Sequence, residues 1–175
     1  TTELEKGVVM VDAKDLKGSQ IFLGGRHGST VTGTTNAIMA AVLAPGETKI
    51  ESSACEPEII DLCKMLIKMG AKIDGVGSHI LNIQGVTSLT GCVHKVMPDR
   101  IEAATYAIAA AITKGEIILN NARSEHLGSF INVMKGSGVK MESLGRNQIK
   151  VGLNHNDLSS LEIITLPYPC LLYTS

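Results

Sequence analysis

The sequence predicts an α/β protein assembled from repeated β-α-β-α-β-β units. Three observations predict it: an internal repeat, helical apolar stripes alternating with short strands, and glycines placed where each helix should stop. The repeat is the strongest. "AAVLAPGETKIE" (Ala40–Glu51) matches "AAAITKGEIILN" (Ala109–Asn120), and Gly46 and Gly115 lie 69 residues apart. "MGAKI" (Met69–Ile73) matches "SGVKM" (Ser137–Met141), with Gly70 and Gly138 68 apart. At that second offset Leu81 meets Ile149 and Ile83 meets Val151.

The elements follow in order. "GVVMVDA" and "SQIFLGG" read as strands. A small-residue helix runs from about Thr34 to Ala44, and Gly46 closes it as a left-handed cap. "TKIESS" is the next strand. Pro57 suits a first helical turn, because its missing N–H has no intrahelical partner to lose. Ile59, Ile60, Cys63, Leu66 and Ile67 then form an apolar stripe that ends at Gly70. Two short strands follow through the turn "DGVGSH".

The second copy opens with "GCVHKVM" as its strand. A helix from about Arg100 to Thr113 places Ile101, Ala104, Ile108, Ala111 and Ile112 on one face, and Gly115 closes it. "EIILNN" is a strand. Leu127, Phe130, Ile131 and Met134 mark the next helix, stopped by Gly138. Two strands through "SLGRNQ" complete the unit. Such a unit cannot bury both faces alone, so several should pack about a shared axis with their helices inside.

Bulk properties narrow the class. The 175 residues are 44% hydrophobic and 19% charged, the balance of a globular chain and not a disordered one. A net charge of -1 lacks the basic excess of a nucleic-acid protein. No apolar run approaches the ~18 residues of a membrane span. The start, "TTELEKG", carries no signal-peptide pattern. The four cysteines show no C-x-x-C spacing and read as reduced thiols of a cytoplasmic protein.

Three motifs hold chemistry. "LGGRHGSTVTGTTN" (Leu23–Asn36) is a Gly-rich loop entering a helix. Its backbone N–H groups, with hydroxyls from Ser29, Thr30, Thr32 and Thr34, can hold phosphate oxygens. Equally, it can be an ordinary capped loop with Thr32 or Thr34 as N-cap. "SACEPEIIDL" places Cys55, Glu56 and Glu58 at a helix start, where Cys55 is either a low-pKa nucleophile or a structural thiol. "MPDRIEAATY" (Met97–Tyr106) is the third, in which Asp99 is a natural N-cap and Glu102 occupies the capping-box position. The five histidines show no i, i+4 pair on a helix, and no metal site is implied.

At these motifs the chain resembles a known family. "STVTGTTNAIMAAVLAPGET", "SACEPEIIDLCKMLIKMGAKIDGVGS" and "VMPDRIEAATY" are similar, in order and spacing, to the UDP-N-acetylglucosamine 1-carboxyvinyltransferases, which are enolpyruvyl transferases. The likeness runs from about Gly7 to about Gly152, then weakly to Pro169. It implies an inside-out α/β barrel fold, with the chain crossing between two domains at the P-D-R-I-E motif. Residues 1–97 would be the last part of one domain and 98–169 part of the second.

The resemblance implies transfer of the enolpyruvyl group of phosphoenolpyruvate to the 3′-hydroxyl of UDP-N-acetylglucosamine, the first committed step of peptidoglycan synthesis. No cofactor or metal is implied, nor a nucleic-acid or membrane partner; a cytoplasmic, monomeric full-length protein is. The family's diphosphate loop falls on Gly28, Ser29, Thr30 and Val31, and Glu56 would face the substrate cleft. Many members carry Lys where Gly28 stands, and an apparent insertion around Gly25–His27 lets Arg26 replace that charge. Cys55, Cys63 and Cys92 do not match the family's catalytic cysteine, and no catalytic residue is assigned to this fragment. The alternatives are the sister enzyme, 3-phosphoshikimate 1-carboxyvinyltransferase, and a non-catalytic nucleotide-sugar-binding module. The match ends in "TLPYP": Cys170 replaces an expected Gly and Thr174 an expected Asp, so residues 170–175 read as a non-native tail.

Overall fold

The computed structural model describes residues 2–26, 28–153, 158–161, 163 and 168. The 170–175 tail, His27 and His155 lie outside the described residues. The chain forms two compact units. The first comprises Thr1–Gly24, Ser29–Ala54 and Leu62–Val93; the second comprises Gly25–Gly28, Cys55–Asp61 and His94–Ser175.

The first unit begins with an antiparallel hairpin, β1 (Thr2–Glu5) and β2 (Val8–Val11). Lys6 and Gly7 turn it with φ of 49° and 82°, the paired positive values of a tight hairpin turn. Val8, Val9, Met10 and Val11 are all exposed. The four-stranded sheet has the order β3 (Gln20–Phe22), β6 (Glu47–Glu51), β8 (Ile80–Gln84), β7 (Lys72–Asp74). β3 runs parallel to β6, and the other pairs are antiparallel. Between β3 and β6 lie the short strands β4 (Gly24–Gly25) and β5 (Gly28–Ser29), which pair, and helix α1 (Val31–Ala41). Ile38, Val42, Ile50, Leu81 and Ile83 are fully buried.

In the second unit the order is β10 (Val139–Ser143), β11 (Gln148–Leu153), β9 (Ile117–Asn120), all antiparallel. Helices α3 (Arg100–Ile112) and α4 (Gly128–Gly136) pack on it. Their core is Ala107, Ala110, Ala111, Phe130, Met134, Val139, Met141, Ile149 and Val151, among others. Helix α2 (Pro57–Lys68) lies between β6 and β7 in sequence.

The repeat is present residue by residue. Ile50 pairs with Leu81 and Thr48 with Ile83; in the second sheet Leu119 pairs with Ile149 and Ile117 with Val151. Ile73 pairs with Ile83 as Met141 pairs with Val151. Alternation puts Leu81, Ile83, Ile149 and Val151 on the buried faces, each at most 1% exposed.

Several expectations change. α1 begins at Val31 and not at Thr34, because Thr30 is the N-cap: its Oγ1 accepts from the Gly33 N–H at 3.2 Å. Thr34 is instead a buried helix residue whose Oγ1 donates to the Thr30 carbonyl at 2.7 Å and accepts from the Ala54 N–H at 3.1 Å. "GCVHKVM" is not a strand; Val93 and Val96 are 96% and 70% exposed. Its polar groups turn instead to side contacts, such as Met97 N–H donating to Asp61 Oδ2 at 3.4 Å. The left-handed residue after α3 is Lys114, with φ 55°, and not Gly115. Lys114 N–H donates to the Ala111 carbonyl and Gly115 N–H to the Ala110 carbonyl, the two bonds of a Schellman closure. On α3 and α2 the stripes are narrower than the sequence pattern: Ile101, Ile108, Ile112 and Ile67 are exposed, and α3 meets its sheet through alanines.

Candidate functional site

The loop Gly28–Val31 is built by the β4–β5 pair. Gly28 has φ 97°, a conformation that would strain a side-chain-bearing residue such as Lys. Arg26 is exposed in the turn between the two strands. Ser29 Oγ lies 3.2 Å from Ser52 Oγ, at the end of β6. Thr30 N–H donates to the Leu23 carbonyl at 3.3 Å, and Leu23 N–H to the Glu51 carbonyl at 2.9 Å. The loop is therefore tied to the sheet on one side and caps α1 on the other. α1 has no acidic residue in its first turn. Its N-terminal N–H groups and partial positive charge are left unopposed by a carboxylate there, which favours an anion.

Glu56 precedes α2, and its carbonyl accepts from Ile59 N–H at 2.9 Å and Ile60 N–H at 3.3 Å. The residue is 6% exposed, and Oε2 is buried with no hydrogen-bond partner among the described residues. A buried carboxylate oxygen without a donor is costly, so the position invites a hydroxyl, amide or cation. Cys55 is no activated nucleophile: burial pushes its thiol up, and the Glu56 charge pushes the same way. Ser29, Thr30 and Val31 belong to the first unit, Gly28 and Glu56 to the second.

The second unit contains a cleft of about 400 Å³ where α3 begins and β9 ends. Asp99, Glu102, Tyr106, Asn120 and Asn121 bring polar groups to it; Ile117 and Leu119 are among its apolar lining. Asp99 Oδ1 accepts from Ile101 N–H at 2.8 Å and from Glu102 N–H at 3.1 Å, the N-cap expected of it. The sequence marks Asp99 and Glu102 as capping residues, but the cleft they line depends on Asn120 and Asn121, and a helix-period pattern carries no signal for that meeting.

Beside the cleft, Arg100 is 7% exposed. Its Nε donates to Glu58 Oε1 at 2.8 Å, its Nη2 stands 3.5 Å from Oε2, and its Cζ lies 5.3 Å from the Tyr168 ring centroid. His94 Nε2 lies 3.1 Å from Asp61 Oδ2, while its Nδ1 is buried without a partner among the described residues. Burial holds His126 below the usual histidine range, opposed mainly by the charge of Glu125. Sequence spacing alone reveals none of these pairs, because 42 residues separate Glu58 from Arg100. No helix among the described residues is long and apolar enough to cross a membrane.

Among solved structures, the enolpyruvyl transferase NikO from Streptomyces tendae matches with a TM-score of 0.82 at 19% identity, over 95% of this chain and 42% of that one. EPSP synthase from Acinetobacter baumannii matches at 0.53 and 22% identity, over 95% and 38%. Both show likeness of fold. A UDP-N-acetylglucosamine 1-carboxyvinyltransferase of Methylacidiphilum infernorum is 46% identical over 169 residues, 95% of this chain and 39% of the relative. Its namesake in Halothermothrix orenii is 45% identical over 167 residues, again 95% and 39%. The chain thus spans about two fifths of the length of the curated relatives it matches. The profile of EPSP synthase (3-phosphoshikimate 1-carboxyvinyltransferase) matches residues 3–174, and with it the chain belongs to that family of enolpyruvyl transferases.

Proposed function

We propose that this chain is part of an enzyme that transfers the enolpyruvyl group of phosphoenolpyruvate to the 3′-hydroxyl of UDP-N-acetylglucosamine. The observation that carries this reading is the 40–46% identity, across nearly the whole chain, to relatives named for that activity. In this reaction the acceptor hydroxyl gives its proton to a base as its oxygen bonds to C2 of phosphoenolpyruvate and an acid protonates C3. Loss of a C3 proton and of phosphate then restores the vinyl group. The reading makes Gly28, Ser29, Thr30 and Val31 the diphosphate contacts, supported by the anion-compatible start of α1. Glu56 is a substrate-side residue in it, supported by its unpartnered Oε2. No residue of the chain is assigned as the acid or base.

The same reading makes the complete fold an inside-out α/β barrel, with residues 1–97 and 98–169 in different domains. It places the enzyme in the cytoplasm as a monomer, serving cell-wall biogenesis and so cell shape, cell cycle and division. Neither nucleic acid nor membrane is a partner in it. The test is turnover by the full-length protein carrying this sequence. Phosphate should be released from phosphoenolpyruvate only when UDP-N-acetylglucosamine is supplied. Release with shikimate 3-phosphate instead would assign the sister activity.

A further inference from the structure

We propose that Arg100 is a positioning residue that, held between Glu58 and Tyr168, fixes the first turn of α3 so that Asp99 and Glu102 wall the cleft for a hydroxyl-rich acceptor. This rests on the enolpyruvyl-transfer reading. All the residues involved belong to the second unit.

A guanidinium that is 7% exposed must have its charge answered nearby, since burial of an unpaired charge is strongly unfavourable. Glu58 answers it edge-on through both carboxylate oxygens, at 2.8 and 3.5 Å. Tyr168 answers it face-on, with 5.3 Å from Cζ to the ring centroid, inside cation–π range. One cation is therefore engaged by a carboxylate and by a ring from two segments far apart in sequence. Lysine, a point charge, cannot reproduce the two-nitrogen contact with Glu58 while staying over the ring.

Arg100 is the first residue of α3, between two residues that line the cleft, Asp99 and Glu102. The backbone of this turn is already fixed locally by the Asp99 cap. The cap does not tie the turn to distant segments; the Arg100 clamp does, holding it to Glu58 of α2 and to Tyr168. Asn120, the last residue of β9, and the following Asn121 line the same cleft. The cleft then presents carboxylate and amide acceptors over Ile117 and Leu119, chemistry that suits sugar hydroxyls and disfavours a phosphate.

The test uses the full-length enzyme with Tyr168→Phe, Tyr168→Leu and Arg100→Lys, reading KM for each substrate, kcat and melting temperature. Tyr168→Phe keeps the ring face and should behave as wild type. Tyr168→Leu and Arg100→Lys should raise KM for UDP-N-acetylglucosamine about three- to tenfold, the size of a lost desolvated cation–π contact. KM for phosphoenolpyruvate should stay unchanged. If Arg100→Lys does not fold, Tyr168→Leu, which removes only the ring, carries the test. Equal effects on both substrates, effects that track melting temperature alone, or Tyr168→Phe as impaired as Tyr168→Leu would each overturn the proposal. Wild-type turnover with unaffected variants overturns this inference alone; a wild type that ignores UDP-N-acetylglucosamine overturns the underlying reading and this inference with it.

Discussion

Ser52 and Asn121 occupy the same place in the two repeats, one residue past the equivalent strands β6 and β9, and both have left-handed backbones, with φ of 55° and 58°. Ser52 meets Ser29 of the Gly-rich loop, and Asn121 lines the cleft at α3. Each fold unit thus bends its chain unfavourably at one residue beside a helix start. Asparagine tolerates that bend; a β-branched residue does not. Asn121→Val should destabilise by about 1–2 kcal/mol while Asn121→Gly stays close to wild type, as read from urea midpoints.

Lys114 pays the same conformational penalty on an exposed side chain. It is exposed, has φ 55°, and sits in the closing position of α3 that Gly70, with φ 106°, fills after α2. Lys114→Gly should stabilise by up to about 1 kcal/mol, because both Schellman bonds use backbone atoms and survive the change. Thermal melting checks it.

Thr30→Ala should cost about 1 kcal/mol, since the Gly33 N–H loses its acceptor and α1 loses its cap. Thr30→Ser, which keeps the oxygen, should recover most of it. Helicity and stability measured together would separate cap loss from general damage.

Cys63 gives an alkaline signature. Burial pushes its thiol from the usual 9.0 up to about 11. The folded state therefore holds the proton where the unfolded state has released it, and its stabilising contribution is complete below about pH 9. Stability should fall as pH rises from about 9 to about 11, and this slope should flatten in Cys63→Ala relative to that variant's own neutral value. The slope is measured by denaturant titration at each pH.

Leu81→Ala and Ile149→Ala, at equivalent buried positions each 1% exposed, should cost about 2–5 kcal/mol. Ile101→Ser, at a residue 55% exposed, should stay within about 0.5 kcal/mol. Equilibrium unfolding of the three variants gives the comparison.

The periodic parts of this chain were legible in its sequence. The repeat offset matched Leu81 with Ile149 and Ile83 with Val151, and the two sheets keep that match: Ile73 pairs with Ile83 as Met141 pairs with Val151. The Asp99 cap was legible too, because capping is local. The cap of α1 is less legible, since a run of hydroxyl residues offers Thr30, Thr32 and Thr34 as equivalent caps, and only the turning of Thr34 Oγ1 to the distant Ala54 N–H decides among them. "GCVHKVM" has strand-like composition, but a strand needs a neighbour, and propensity says nothing about whether one is there. The Arg100 clamp and the partnerless Glu56 Oε2 were hidden for the same reason: both depend on which distant segments meet.

The two sheets share their register, yet Ser52 and Ile73 are 21 residues apart while Asn121 and Met141 are 20 apart. The odd residue lies in the stretch that holds the helix. A one-residue change inside a strand would turn every core side chain beyond it outward. A helical connection can absorb it by sliding its ends. Insertions and deletions in this lineage should therefore collect in the helix-bearing stretches, leaving strand register as the ruler against which distant copies of the unit can be aligned.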